Sequence, residues 1–564
     1  MFRRIFFASI IGVLASVGST ARAATYYAGP DGTESGDGSQ AHPWPMKYAV
    51  AHLSSGDTLL VMDGLYVGAI NISRSFDDWV TISAEHPYRA KLTNAENAGP
   101  VFFIYTKGSA KIIIEGFVMS NADPNHQCTT REGEDLVHFQ DAQDIIFRNN
   151  IVFGNSAPGT CNELLKINRG GDPYYPKNIQ ITGNVFYDRA NAPGADLIDS
   201  VRPGELDITE NIFFSRHSDN AQSFITIKRQ VDAASLGITP RSPRYNISRN
   251  VFLNWHGPND QAFVQLGEDA NAEVMISDAL IANNLIIGNS SMPLGAPFQL
   301  KGVRNVTVEA NTVIGDLPAR GYGFRIGTEG DNLQIRDIFA YNNIFADPTG
   351  TMDDPLVFTY GDVDTSSIVL DHNLYYNAQT ALPTSGTPTP ADDANRIVGD
   401  PALETDQGNI VLPVWDETNH QFTSGATTIR QEFERLVMTY GVIGDASAAK
   451  DAADSSHMPT VDILGRQRGA QPDIGAFELG ATASDGGLDG GSGRDAATGD
   501  GGTTSHDAAQ TTDGGTNNTS HGDEGCGCSQ SSNQGGSSVV VAMLLLLGLL
   551  RRRNSRRPTQ PSGQ

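Results

Sequence analysis

One short pattern recurs along the chain and limits what it can fold into: a β-rich run, one or two polar residues, an asparagine, then a second apolar run. It reads IIFRNNIVFGN, IQITGNVFYD, LDITENIFFS, YNISRNVFLN, LIANNLIIGN, VTVEANTVIGD, FAYNNIFAD and LDHNLYYN. The aligned asparagines are Asn150, Asn184, Asn211, Asn250, Asn284, Asn311, Asn343 and Asn373, spaced by 34, 27, 39, 34, 27, 32 and 30 residues. An earlier copy, IIIEGFVMSN, sets Gly116 in the same slot, 34 residues before Asn150. The period is far too long for a heptad. The units are rich in Val, Ile, Phe and Thr and alternate with period two, so they are strands. No Asn-Gly hairpin signal separates them, which argues against antiparallel meanders.

Three short strands and three turns per repeat make one coil of a solenoid. The expected fold is all-β: a right-handed parallel β-helix, single-stranded, of roughly nine to eleven coils with short capping helices. Stacking the coils sets equivalent asparagines above one another, where each amide can bond its neighbours. A further strand precedes each asparagine unit: LVHFQ, LLKIN, SFITIK, AFVQL, PFQLK, YGFRI and PLVFTY. Variable loops follow these runs, with GGDPYYP and QVDAASLGITPRSP as the clear insertions. In this register Cys128 and Cys161, 33 residues apart, fall on neighbouring coils, and a disulfide between them is expected if the chain is exported. At the ends, MKYAVAHL (46–53) suits a short capping helix. Ile429, Phe433, Leu436, Val437 and Tyr440 suit an amphipathic helix on the last coils. The fold should close at PDIGAFE, residues 472–478.

The rest of the chain reads as sorting and tethering. Arg3 and Arg4, an apolar run to Val17 and Ala21-Arg22-Ala23 have the order of an export signal, 1–23. The helical solenoid domain would span 24–480. Residues 481–524 are Gly, Ser, Thr, Asp and Asn, a composition that buries too little surface to fold and suits a stalk. Residues 525–564 hold Cys526 and Cys528, a 12-residue apolar run and Arg551–Arg553. That run falls short of the ~20 residues a stable span needs. The net charge of −26 disfavours nucleic acid as a partner, and an anionic ligand would need a local basic strip. Nothing calls for a second chain, so a monomer is expected.

Two resemblances follow from these residues. The opening Tyr26-Tyr27-Ala28-Gly29-Pro30-Asp31-Gly32, with Pro43-Trp44, Gly56-Asp57-Thr58-Leu59 and the closing PDIGAFE, is similar to the pectate-lyase-like superfamily of right-handed parallel β-helix proteins. The tail resembles the myxobacterial C-terminal sorting signal. That resemblance makes Cys526 or Cys528 the point of processing or attachment, and places the protein at the cell surface or outer membrane, held to the membrane through its C-terminus.

The superfamily resemblance implies that ligands lie along the first parallel sheet. Alternation turns Val137 and Phe139, Leu165 and Ile167, Phe298 and Leu300, and Phe324 and Ile326 inward. His138, Lys166, Thr226, Lys228, Gln265, Gln299, Lys301 and Arg325 then point out, a basic and amide-bearing strip on an acidic protein. Loops add His217, Trp255 and His256, with Trp255 offering a flat face for a sugar ring. The expected ligand is an acidic polysaccharide, and the expected chemistry, if any, is β-elimination. Such a lyase must neutralise a uronate carboxylate and remove the C5 proton. Lys166, Lys228, His217 and His256 are candidate bases, with Lys228 activated by Arg229 beside it. Arg229 and Arg325 are candidate neutralisers, and Ca²⁺ would serve in their place. Asp196 and Asp199 are the acidic pair nearest to such a calcium site, with no third partner evident. No polygalacturonase-like paired Asp signature, Walker motif, zinc spacing or nucleophile elbow is present. A non-catalytic glycan-binding or adhesin-like surface protein, and a purely structural one, are the competing readings.

Overall fold

The computed structural model describes residues 23–93, 100–120, 135–154, 163–171, 173–188, 196–216, 222–268, 272–289, 292–403, 407 and 409–481. The signal-like N-terminus, Cys128, Cys161, His217, the stalk, Cys526, Cys528 and the C-terminal apolar run lie outside them.

The chain is a right-handed parallel β-helix. Each full coil gives three strands, and each pairs in parallel with its counterpart on the next coil. The first sheet begins at Ile70–Ile72 and takes in the starts of Phe102–Glu115 and Val137–Arg148. It continues through Leu165–Asn168, Ile198–Val201, Ile225–Lys228, Ala262–Leu266, Ala296–Lys301 and Phe324–Gly327 to Val357–Tyr360. The second sheet runs from Thr25–Ala28 to Ile368–Asp371. The third runs from Gly64–Val67 to Ile397–Val398 and counts twelve strands among the described residues. The first sheet counts ten strands among the described residues, so ten coils carry all three strands, within the expected nine to eleven. The helix Met46–His52 caps the N-terminal end, with Met46, Ala49 and Val50 buried.

The asparagines stack as the spacing requires. All eight are fully buried at the bend from the second sheet to the third. The Oδ1 of Asn250 accepts the backbone N–H of Asn211 at 3.0 Å and its side-chain amide at 3.0 Å. The Nδ2 of Asn250 in turn donates to Asn284 and to the Ile208 carbonyl. The ladder ends on a carboxylate: Asp393 accepts from both nitrogens of Asn373. The residue before each asparagine, from Asn149 to His372, has φ between +53° and +66°. This left-handed residue makes the sharp turn, and the amide ladder satisfies the backbone groups that the turn frees. The register corrects one alignment. Ile151 pairs with Val118, so Phe117, not Gly116, holds the asparagine slot, and Gly116 takes the left-handed position with φ +82°. Phe117 donates its N–H to Asn150 Oδ1 in the same manner.

Inside, the inward residues form one continuous core, with Phe186, Phe213 and Phe252 stacked ring on ring at 5.4 and 5.0 Å. The third sheet is buried on its outer face too. Residues after the last coil turn back along it. Trp415 meets Tyr88 at 5.2 Å, and Glu417 pairs with Lys91 at 2.7 Å, both on early coils. The helix Ile429–Tyr440, closed at its start by a Thr428–Gln431 capping box, packs Leu436 and Val437 into the cluster that holds Val251 and Leu285. It therefore lies over the middle coils, not the last ones, because the return segment has first run back to Tyr88. The closing PDIGAFE docks on later coils, where the Gly475 N–H donates to Asn342 O and the Ala476 N–H to Thr312 Oγ1. A Cβ on Gly475 would sit 2.6 Å from Ile344 Cδ1. The third sheet, covered in this way, leaves a ligand the outer faces of the other two. Among the described residues no helix is long and apolar enough to cross a membrane.

Candidate active site

The first sheet presents one outward row, coil after coil: Phe103, His138, Lys166, Asp199, Thr226, Gln265, Gln299, Arg325 and Phe358. The inward residues between them, Val137, Phe139, Leu165, Ile167, Phe298, Leu300, Phe324 and Ile326, are buried as alternation requires. A second row starts two residues before the strands and is acidic on three successive coils: Asp135, Glu163 and Asp196.

These rows converge on Asp199. Its carboxylate contacts the Lys166 ammonium, and its Oδ1 lies 3.3 Å from Lys228 Nζ. Lys166 is also 3.4 Å from Glu163, and Asp135 is 3.1 Å from His138 Nδ1. The other ring nitrogen of His138 faces Asn168 Oδ1 at 2.8 Å. Thr226 donates to Asp196 Oδ1 at 2.7 Å. All four carboxylates are buried. Burial and the hydrogen bond shared with Asp135 push Glu163 up to about 7. Burial and the charge of Asp199 push Asp196 up to about 8, against the pull of Lys228 and Thr226. Burial works to lower both lysines, but the acids prevail. Asp199 and Glu163 raise Lys166, and Asp199 and Asp196 raise Lys228. Two ammonium groups do not balance four carboxylates in a low-dielectric pocket, so part of the acid set keeps its protons.

Glu163, Asp196 and Asp199 can each offer an oxygen within 4.8 Å of the others'. Glu163 is the third partner the sequence reading lacked. Among the described residues Asp196 Oδ2 is buried without a hydrogen-bond partner, and Asp199 Oδ1 has the Lys228 ammonium at 3.3 Å and no hydrogen bond. Buried oxygens in that state suit a cation, and an all-carboxylate set suits a hard one such as Ca²⁺. A second group, Asp371, His372 and Asp454, is as close-knit but only partly buried. Its carboxylates already accept from Asn395 and Ser456.

Several expected roles change. Trp255 is no sugar platform: it is 1 % exposed, wedged between Phe224 and Phe263, with its indole N–H on the Pro293 carbonyl. The strip is not freely basic, because each cation has an acid. Arg229 pairs with Glu268 at 2.5 Å, and Lys301 and Arg325 both face Glu329. Arg229 therefore does not depress Lys228, whose nearest charge is Asp199. Gln265 and Gln299 bond each other at 3.1 Å and are buried. His256 sits on the turn beside Trp255, with Nδ1 at 3.2 Å from the Asn254 carbonyl. The partly exposed aromatic face lies elsewhere, where Phe103 and Tyr105 stand nearly parallel, 6.1 Å apart, beside His138.

No family model matches the sequence, and no curated protein matches it. Solved structures do. A pectate lyase, Pel9A, is 15% identical over 81% of this chain and 96% of its own, with a TM-score of 0.41. The resemblance is one of fold. XylC in complex with xylose is 11% identical over 81% of this chain and 98% of its own, at 0.43. An alginate lyase from Paenibacillus sp. is 15% identical over 60% of this chain and 97% of its own, at 0.39.

Proposed function

We propose that the protein is a cation-dependent polysaccharide lyase acting on a uronate-containing glycan by β-elimination. The observation that carries the reading is the buried Glu163–Asp196–Asp199 set directly beside two lysines on neighbouring coils. On a chain of net charge −26, both lysines are spent on the acid set and leave little positive charge for an anionic glycan.

The carboxylates of Glu163, Asp196 and Asp199 would hold a divalent cation. When bound, that cation supplies charge that offsets the uronate carboxylate and acidifies the C5 proton. The chain's residues do the rest. Lys228 touches the acid set through Asp199, at its edge, whereas Lys166 is held by both Asp199 and Glu163. Lys228 is thus the ammonium more readily freed when the acids take another partner; without the pull of Asp199 and Asp196 that raises it, it gives a proton to solvent and serves as the base in its neutral amine form. Its Nζ takes the C5 proton, the C5–H electron pair forms the C4=C5 double bond, and the C4–O bond breaks. The departing oxygen takes a proton from the Lys228 ammonium. Lys166 stays between Asp199 and Glu163 and fixes their orientation. Phe103 and Tyr105 offer a stacking face for a sugar two coils from Lys166 and four from Lys228.

The test is the ultraviolet absorbance of the unsaturated product on alginate, polygalacturonate and glycosaminoglycans. Calcium should support a rise, a chelator should abolish it, and Lys228→Ala should lower the rate by about 10²–10⁴, the usual weight of a general base. No rise on any of these glycans contradicts the reading. The same reading places the protein outside the cell, held by its C-terminal segment, where such polymers occur. Its support is the signal-like N-terminus and the Cys, apolar and Arg order of the tail. Cell fractionation with Cys526→Ser and Cys528→Ser variants tests it.

A further inference from the structure

Most cations along the first sheet are spent on acids. Lys166 and Lys228 pair with Asp199, Arg229 with Glu268, and Lys301 and Arg325 with Glu329. Lys107 is different. It stands two residues past Tyr105, where the chain leaves the first sheet at an irregularity, with φ +53°. Thr106 fixes the bend by donating its hydroxyl to the Gly108 carbonyl at 2.7 Å. The Lys107 side chain is exposed, and among the described residues no carboxylate lies within 4.0 Å of its ammonium. That ammonium is 5.2 Å from the centre of the Tyr105 ring. The Tyr105 hydroxyl raises its pKa, and Tyr174 and Asp141 act in the same direction, so it stays charged.

An aromatic floor lies beside it. Phe103 and Tyr105 point outward from one strand, partly exposed, with their ring planes 3° apart. From the next coil, His138 sets its ring 5.1 Å from that of Phe103 and is itself held between Asp135 and Asn168. The GGDPYYP insertion adds Tyr174, 37 % exposed, on a loop where Arg169 Nε donates to the Tyr174 carbonyl at 3.0 Å.

We infer that Phe103, Tyr105 and Lys107 form a separate subsite for a uronate ring. The apolar face of the sugar lies on the two aromatic rings, and its carboxylate pairs with Lys107. A neutral sugar would leave that charge unused. The inference deepens the lyase reading and rests on its choice of an acidic glycan as ligand. Tyr105 shares one row with Gln140, Asn168, Val201 and Lys228, each a coil further on. Four steps of ~4.8 Å make about 19 Å, the length of roughly four sugar rings. The subsite therefore grips a glycan well away from the bond that is cut. Long chains gain this contact and short oligomers do not, so it sets the chain length on which the protein works best.

Calorimetric titration of the full chain with hexameric uronates from alginate and from polygalacturonate tests this, in a Lys228→Ala background that keeps the oligomer whole. Adding Lys107→Met should weaken binding about threefold at low salt, the weight of one exposed ion pair. Lys107→Arg should restore it, and raised salt should erase the difference. Tyr105→Ala should weaken binding several-fold at any salt. Carboxyl-reduced hexamers should respond to Tyr105→Ala and ignore Lys107→Met. With Lys228 in place, elimination should favour hexamers over trimers, and Lys107→Met should shrink that preference through KM. Lys107 is exposed at a bend, so its variants decide the matter even if Tyr105→Ala folds poorly. Unchanged affinity in Lys107→Met, beside elimination by the protein with Lys228 in place, overturns the subsite and leaves the lyase reading standing. Affinity lost in Lys107→Met, with no elimination on any glycan, keeps the subsite and overturns the lyase reading. Neither binding nor elimination overturns both.

Discussion

Asp199 meets two ammonium groups at once, and what surrounds it sets how the site responds to pH. In the cation-free protein Glu163 and Asp196 keep their protons to about 7 and about 8, whereas unfolded carboxyls ionise near 4. Between these values the folded state binds more protons than the unfolded one, so the free energy of unfolding falls as pH rises. The melting temperature of chelator-treated protein should therefore drop from about pH 4 to about pH 8, then level off. Glu163→Gln with Asp196→Asn should flatten most of that slope. Glu309, pushed up to about 7 by burial, contributes in the same direction and persists in the variant. A melting temperature that rises across this window would contradict the protonation scheme. Trp255 makes the opposite point, since its chemistry is spent on packing. Trp255→Ala should cost about 3–5 kcal/mol in denaturant unfolding, as other core aromatic truncations do. Glycan affinity should not change beyond what lost folding explains.

Among the elements, the asparagine ladder is the most readily tested. Asn250→Ala removes the acceptor for the buried backbone N–H of Asn211, whose side-chain amide keeps the Ile181 and Thr209 carbonyls. At about 1–3 kcal/mol for an orphaned group, the loss should reach that size in chemical denaturation. A cost under half a kilocalorie would mean that the ladder follows the fold and does not hold it. This element was legible in the sequence because one residue type has to recur at every coil. The helix Ile429–Tyr440 was legible from its helical spacing, though its place over the middle coils was not, and the outward row was legible from alternation. The acid set was less so. The strand Ile198–Val201 carries Asp199 but was not recognised as part of the first sheet. Without it, Asp199 had no place beside Lys166 and Lys228. The signal that would have found the set is an acid followed by Leu and an apolar residue on three successive coils: Asp135-Leu-Val, Glu163-Leu-Leu and Asp196-Leu-Ile. The burial of Trp255, Gln299 and Arg325 was not legible, because it depends on turns from other coils that no local pattern specifies.

For the molecule as a whole, the C-terminal return decides which face is free. The apolar side of helix Ile429–Tyr440 shares a cluster with Val185, Ile212, Val251 and Leu285 of the third sheet, and the closing segment docks at Thr312 and Ile344 on later coils. A chain ended after Gly399 would bare that row along several coils, a continuous apolar surface that favours association. Light scattering should show aggregation of the truncated chain under conditions where the full chain stays dispersed. The central claim is that Glu163, Asp196 and Asp199 form a cation site whose filling displaces protons and frees Lys228. Calcium titration calorimetry of the full chain near neutral pH, in two buffers of different ionisation enthalpy, tests it most directly. The account predicts one site, release of about one proton or more per cation, and loss of binding in Asp199→Asn. Absence of binding, or binding that Asp199→Asn leaves intact, would contradict it.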